Sequence, residues 1–247
     1  MKLFIRATIT MFYVLSILIG CATSEKATST DQNNFYDEGI AFAKTGEYDR
    51  AIACFCEVIN LDPEFVDAYI ERGIIFGYKG KYGKAISDFT NAIEINPNYD
   101  LAYGLRGVAY EKKGQYDQAI ADYSKVISMH PKDTMTYLQR GSAYYHKGMY
   151  NRAISDFTKA IALNPKNSRG YCGRGLAHTK KGQGDQAISD YTKALDLNPM
   201  DAHTYFDRGV AYYYKGQYEQ ACSDWKRACE LGLCSNYEWA KINKFCQ

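Results

Sequence analysis

Residues 100–133 read DLAYGLRGVAYEKKGQYDQAIADYSKVISMHPKD, and the proline near the end of this stretch sets the frame for the chain. The five prolines, Pro63, Pro97, Pro131, Pro165 and Pro199, are each 34 residues from the next. Counting each as position 32 of a unit gives starts at Gln32, Val66, Asp100, Thr134, Ser168 and Ala202, with Leu233 where a sixth proline would fall. In this frame position 8 is always glycine (Gly39, Gly73, Gly107, Gly141, Gly175, Gly209) and position 20 always alanine (Ala51, Ala85, Ala119, Ala153, Ala187, Ala221). Position 4 is always aromatic (Phe35, Tyr69, Tyr103, Tyr137, Tyr171, Tyr205), and so is position 24 (Phe55, Phe89, Tyr123, Phe157, Tyr191, Trp225). Small residues that let two helices approach thus recur with rings that fill the remaining space.

Each unit predicts a helix over its first fourteen positions or so, a turn at a glycine (Gly46, Gly80, Gly114, Gly148, Gly182, Gly216), and a second helix that stops before the proline. Glycine supplies a left-handed cap and proline a stop. The period and pattern resemble the tetratricopeptide repeat over residues 32–235 without a gap. The departures are Gly184, where the other repeats have tyrosine, and His178, where they have Phe or Tyr. The resemblance implies an all-α fold, a right-handed superhelical solenoid of six antiparallel helix pairs plus a C-terminal capping helix. The repeats span 32–65, 66–99, 100–133, 134–167, 168–201 and 202–235, and residues 236–247 form the cap, with Trp239 and Ile242 restarting a first-helix pattern. One helix pair cannot bury both its faces, so such an array is stabilised by nearest neighbours and closed at its ends.

Charge follows the period too. Position 7 is Arg72, Arg106, Arg140, Arg174 and Arg208, and position 23 is Asp88, Asp122, Asp156, Asp190 and Asp224, while the first repeat has Glu38 and Cys54 instead. Their joint loss predicts that each Arg pairs with the Asp of its own repeat. The competing reading is an arginine ladder that binds an acidic ligand. Overall, once Lys2 and Arg6 are set aside, 28 basic side chains face 28 acidic ones, which is no footprint for nucleic acid.

The N-terminus carries a different signal. Lys2 and Arg6 precede an apolar run from Ala7 to Gly20, broken only by Thr8, Thr10 and Ser16, and Leu18-Ile19-Gly20-Cys21 follows. A charged start and short apolar middle mark a secretory signal over residues 1–20. The tetrapeptide resembles the bacterial lipobox, which implies lipidation of Cys21 and a membrane anchor. Burial of each acyl methylene contributes roughly 0.8 kcal/mol to such anchoring. An ordinary cleaved signal and an uncleaved anchor are the alternatives. Ala22 after the cysteine points by the same resemblance to the periplasmic face of the outer membrane. Residues 21–31 read as a flexible tether.

Export would place the other seven cysteines in an oxidising compartment. Of the three pairings open to Cys222, Cys229, Cys234 and Cys246, two need bridges along one helix or across its length. Cys222 with Cys246 and Cys229 with Cys234 survive, the first because an antiparallel cap returns its end to the start of the preceding helix. Buried thiols acting as core hydrophobes, and a zinc site without a CxxC pair, are the other readings. Cys54, Cys56 and Cys172 are expected to be free or intermolecular.

The four histidines, His130, His146, His178 and His203, share no ligand spacing, and no phosphate loop, HExxH or nucleophile beside a base is present. Neither an enzyme nor a cofactor is expected. By resemblance, positions 2, 5, 9, 12 and 13 of the first helices face a concave groove. This implies a binding surface of Tyr36, Tyr78, Lys112, Leu138, Tyr145, His146, Lys180, Phe206, Tyr213 and Tyr214, suited to an extended peptide or a partner's helix. The same aromatic residues also fit half-buried packing. A chaperone's acidic tail is disfavoured, because Lys and Asn at positions 5 and 9 are replaced by pairs such as Tyr36 with Ile40 and Ile70 with Ile74. The expected function is a membrane-tethered adaptor for another envelope protein or peptide, resembling outer-membrane repeat lipoproteins such as pilotins. A carrier of a glycan or small ligand in cell-wall or polysaccharide assembly is the alternative.

Overall fold

The computed structural model describes residues 29–242 and Cys246. The signal segment, Cys21 and the tether as far as residue 28 lie outside the described residues. The described residues form thirteen α-helices and no strand. These are α1 (Ser29–Thr45), α2 (Tyr48–Leu61), α3 (Val66–Tyr78), α4 (Tyr82–Ile95), α5 (Asp100–Lys112), α6 (Tyr116–Met129), α7 (Thr134–His146), α8 (Tyr150–Leu163), α9 (Ser168–Lys180), α10 (Gly184–Leu197), α11 (Ala202–Tyr214), α12 (Tyr218–Glu230) and α13 (Ser235–Ile242). The first helix takes in residues 29–31, which the sequence assigns to the tether. The chain divides into two compact units, one ending at Ala68 and one beginning at Tyr69.

In the first unit α1 packs on α2. Ala51, Phe55 and Val58 are fully buried between them, and Tyr36 meets the Phe55 and Phe65 rings at centroid distances of 5.8 and 5.2 Å. In the second unit each helix packs on the next along the chain, and the first helices of successive repeats (α5 and α7, α7 and α9, α9 and α11) also touch. The resulting layers are helix on helix, with the core running along the array rather than gathered at one centre.

The invariant glycine of position 8 explains how close the two helices of a repeat come. A Cβ on Gly141 would lie 2.9 Å from Phe157 Cε1, and one on Gly209 would lie 2.5 Å from Trp225 Nε1. Phe157 and Trp225 are themselves 5% and 2% exposed, so neither ring has room to move. The turns between helices close in one way throughout. Gly148 stands at φ 81°, its N–H reaches Tyr145 O at 2.9 Å, and the next N–H, of Met149, returns to Tyr144 O at 2.8 Å. This pair satisfies carbonyls that the helix end would leave open and needs a residue without Cβ at the left-handed position. At the other junction the residue before α7, α9 and α11 is Asp133, Asn167 or Asp201, whose side chain accepts the N–H of Met135, Arg169 or His203.

The periodic charges form bidentate pairs on this frame. Arg140 donates from Nε and Nη2 to the two Asp156 oxygens, each at 2.8 Å, and Arg72–Asp88, Arg106–Asp122, Arg174–Asp190 and Arg208–Asp224 repeat the geometry. The five aspartates are 3–6% exposed. Burial pushes the Asp88 carboxyl up against the pull of Arg72, whereas the Asp156 carboxylate, as hydrogen-bond partner, raises the Arg140 guanidinium. Nη1 reaches back to a hydroxyl of the preceding repeat: Arg106 to Thr90, Arg140 to Ser124, Arg174 to Thr158 and Arg208 to Thr192, at 3.0–3.1 Å. With these donors occupied inside the stack, the arginines do not form an open ladder for an acidic ligand.

The array ends on α13. Cys222 is bonded to Cys246 and Cys229 to Cys234, with Cα separations of 5.4 and 3.9 Å, so one bridge returns the chain end to the start of α12 and the other closes the turn before α13. Ala240 is fully buried against the cluster of Ala221 and Trp225. The cap helix runs from Ser235 to Ile242, one residue earlier than the sequence suggests.

Candidate functional site

A groove of about 720 Å³ runs along repeats three to five, inside the second unit. Its wall is built from equivalent positions of consecutive first helices: Leu138 and Cys172 at position 5, Val108, Ser142 and Leu176 at position 9, Tyr145 at position 12, and Lys112 and His146 at position 13. The periodicity that packs α5, α7 and α9 side by side brings these residues onto one face.

Of the ten residues assigned to the groove from sequence, Lys112, Leu138, Tyr145 and His146 line it. Tyr36 is occupied with Phe55 and Phe65. Phe206 and Tyr213 pack into the C-terminal core, and the Tyr213 ring lies 5.5–5.8 Å from those of Tyr218, Trp225 and Trp239. The cap lays Trp239 against Tyr213, which turns a groove position of an interior repeat into packing at the last one. Tyr78 and Tyr214 are 76% and 80% exposed, and Lys180 is exposed as well.

Sequence reasoning missed several wall residues. Arg169 and Met135 stand at position 2, which the resemblance assigns to the groove although neither residue was singled out, and Gln139 and Gly173 at position 6, which it does not assign. Position 6 of the last repeat is Asp207; burial raises the Tyr145 hydroxyl and the Cys172 thiol, and the Asp207 charge adds to both rises. Burial pushes the Asp207 carboxyl up to about 6, with Asp201 adding to the rise and His203 opposing it. Nothing in the repeat pattern singles Asp207 out, since position 6 has no fixed chemistry along the chain.

The polar groups of the wall are tied together. Glu111 accepts from the Tyr123 hydroxyl at 3.0 Å and the Ser142 hydroxyl at 3.1 Å, linking two repeats. Asp201 accepts from Thr204 Oγ1 at 2.7 Å, and the Cys172 thiol lies 2.7 Å from the same hydroxyl. Burial pushes that thiol up to about 11, so at neutral pH it is a protonated and unreactive group. His146 stacks on Tyr116 at 5.6 Å and 14° between planes. His178, assigned to the core as packing, is half-buried and holds Gln183 Oε1 through Nδ1 at 2.8 Å. His130 meets Asp100 at 2.7 Å. Among the described residues no group of three His, Cys, Asp or Glu side chains is placed to hold a metal ion. The wall offers apolar contact, hydroxyls and both signs of charge, and no nucleophile activated by a base.

Comparison with known proteins agrees with this architecture. Tetratricopeptide repeat models match residues 32–65, 66–99, 101–133, 135–167 and 202–232, and a further TPR repeat model matches 175–215. No curated protein matches the chain. Among solved structures, a tetratricopeptide repeat protein from Parabacteroides merdae aligns with a TM-score of 0.75 at 20% identity, over 82% of this chain and 80% of that one. MamA aligns with a TM-score of 0.60 at 28% identity, over 64% and 93% of the two chains. YrrB, described as a TPR protein with an unusual peptide-binding site, aligns at 0.59 and 20% identity, over 72% and 92%. The matched repeats cover most of the sequence and coincide with the helix pairs described above, and the chain belongs to the tetratricopeptide repeat family.

Proposed function

We propose that this protein is a non-catalytic adaptor, tethered to the bacterial cell envelope through lipidated Cys21, that holds a peptide segment or helix of another envelope protein in the groove of repeats three to five. The observation that carries the reading is the groove wall itself. Leu138, Val108 and Leu176 give apolar contact, while Ser142, Tyr145 and Gln139 present hydrogen-bonding groups along an open trough. An extended backbone needs this mixture, because its own N–H and C=O groups must find partners while its side chains are buried. The peptide-binding site of YrrB, on a related fold, adds support. The tether reading rests on Lys2, Arg6, the apolar run and Leu18-Ile19-Gly20-Cys21. Anchoring and capture then divide the chain's work: the acyl chains fix the location and the repeats select the partner.

The test is a photo-crosslinker at Tyr145 in the native bacterium, with Cys21→Ala and Ser142→Arg as controls. One defined protein should be captured, capture should fail with Ser142→Arg, and Cys21→Ala should release the protein from membranes. Crosslinks to glycan alone would refute the adaptor reading and favour the carrier.

A further inference from the structure

Position 17 is tyrosine in five repeats (Tyr48, Tyr82, Tyr116, Tyr150, Tyr218) and Gly184 in the fifth. What the tyrosine does is visible at Tyr116. Its ring lies parallel to His146, position 13 of the next repeat, and both side chains line the groove. Two registers further on, the same relationship would set residue 184 beneath Tyr214. There Tyr214 is 80% exposed, and a Cβ on Gly184 would meet only the Lys215 stem, 3.2 Å away at Cγ and Cδ, among the described residues. Lys215 is held by Asp185 just as Lys147 is held by Asp117 beside Tyr116. The surroundings of the ring pair are therefore kept in the fifth and sixth repeats, and one ring of the pair is missing.

We propose that this gap receives an aromatic side chain of the peptide bound in the groove, stacked on Tyr214 as Tyr116 stacks on His146. The proposal rests on the peptide-binding reading above. A planar ring matches the shape that Tyr116 shows to fit in this register, and offset stacking rewards it beyond simple burial. A guanidinium is also planar, but the exposed Lys180 and Lys181 at the end of α9 oppose a second cation there. Lys112 and His146 of the groove wall and Tyr214 at the gap occupy the same repeat position, 13, so the gap falls in the register that a peptide following the first helices would meet.

The experiment is selection of a displayed random-peptide library on the full chain, followed by affinity measurement on Gly184→Tyr, Tyr214→Ala and Ser142→Arg. Selected peptides should carry Phe, Tyr or Trp at a fixed distance from an apolar residue. Tyr214→Ala and Gly184→Tyr should each weaken them roughly three- to tenfold, and replacing the peptide's aromatic residue by Leu should abolish the difference between wild type and variants. Gly184→Tyr repeats the residue found at this position in five repeats, and Tyr214→Ala alters an exposed side chain, so helical content measured by circular dichroism should be unchanged in both. If both variants bind like the wild type while Ser142→Arg does not bind, the aromatic site is wrong and the groove stands. If Ser142→Arg binds normally, both readings are wrong.

Discussion

Arg140 Nη1 donates to Ser124 Oγ of the preceding repeat at 3.0 Å, while the same guanidinium grips Asp156 of its own repeat. One side chain thus fixes the pairing of two helices and the register of two repeats. Arg140→Asp should destabilise the fold by about 3–5 kcal/mol, because it leaves Asp156 buried without its partner. Asp156→Arg in the same chain should recover part of the loss, and Ser124→Ala alone should cost about 1 kcal/mol. Urea unfolding of the wild type and these three variants measures all three effects, and no recovery in the double variant would refute the pairing energy claimed here.

Glycines of the chain divide by what surrounds them. Gly141→Ala would drive a Cβ to 2.9 Å from the buried Phe157 ring and should cost about 1–3 kcal/mol through overpacking. Gly104, inside α5, has nothing within 4 Å of its would-be Cβ, so Gly104→Ala should stabilise by about 0.5–1 kcal/mol through helix propensity. Thermal melts of the two variants should move in opposite directions.

Much of this architecture is legible in the spacing of five prolines, because each repeat places the same residues in the same environment. Gly141 against Phe157 and Arg140 against Asp156 are contacts inside one repeat, so a period of 34 is enough to point to them. The hydroxyls of Thr90, Ser124, Thr158 and Thr192 recur at position 25 and were legible in principle, but their partner is in the next repeat. Tyr213 marks where the period misleads. Its position faces the groove in an interior repeat, while in the last one Trp239 of the cap covers it, and an end effect has no second copy in the sequence to reveal it. Asp207 illustrates the other gap, since its altered acidity comes chiefly from burial in the folded chain rather than from any motif.

The Cys222–Cys246 bridge closes a segment of 24 residues around the cap, and a loop of this size is worth about 3 kcal/mol in chain entropy. Under a reducing agent, or in Cys222→Ser, the cap should loosen first. Trp239 and Trp225, whose ring centroids are 6.5 Å apart, are the chain's two tryptophans and report on it. Their emission should shift to the red before far-ultraviolet circular dichroism of the repeats is lost. Simultaneous loss of both signals would show that the cap and the array unfold as one.

Asp207 gives the fold a dependence on pH that is opposite to that of an ordinary paired carboxylate. Its folded-state acidity lies at about 6 against an ordinary value of 3.8, chiefly because burial penalises the charge. Below about 4 the group is neutral whether the chain is folded or not, and it costs nothing. As pH rises from about 4 to about 6, the unfolded chain releases this proton more readily than the folded one, so the contribution to stability falls, and above that window the full penalty is present. Asp207→Asn removes the titration while leaving His203 and Asp201 in place, so subtracting the variant's curve from that of the wild type isolates the one group. The variant should be more stable than wild type by about 1–3 kcal/mol at neutral pH and equal to it near pH 3. Chemical denaturation across that range reads the difference directly, and a gap that stays constant with pH would show that the variant acts through packing rather than charge.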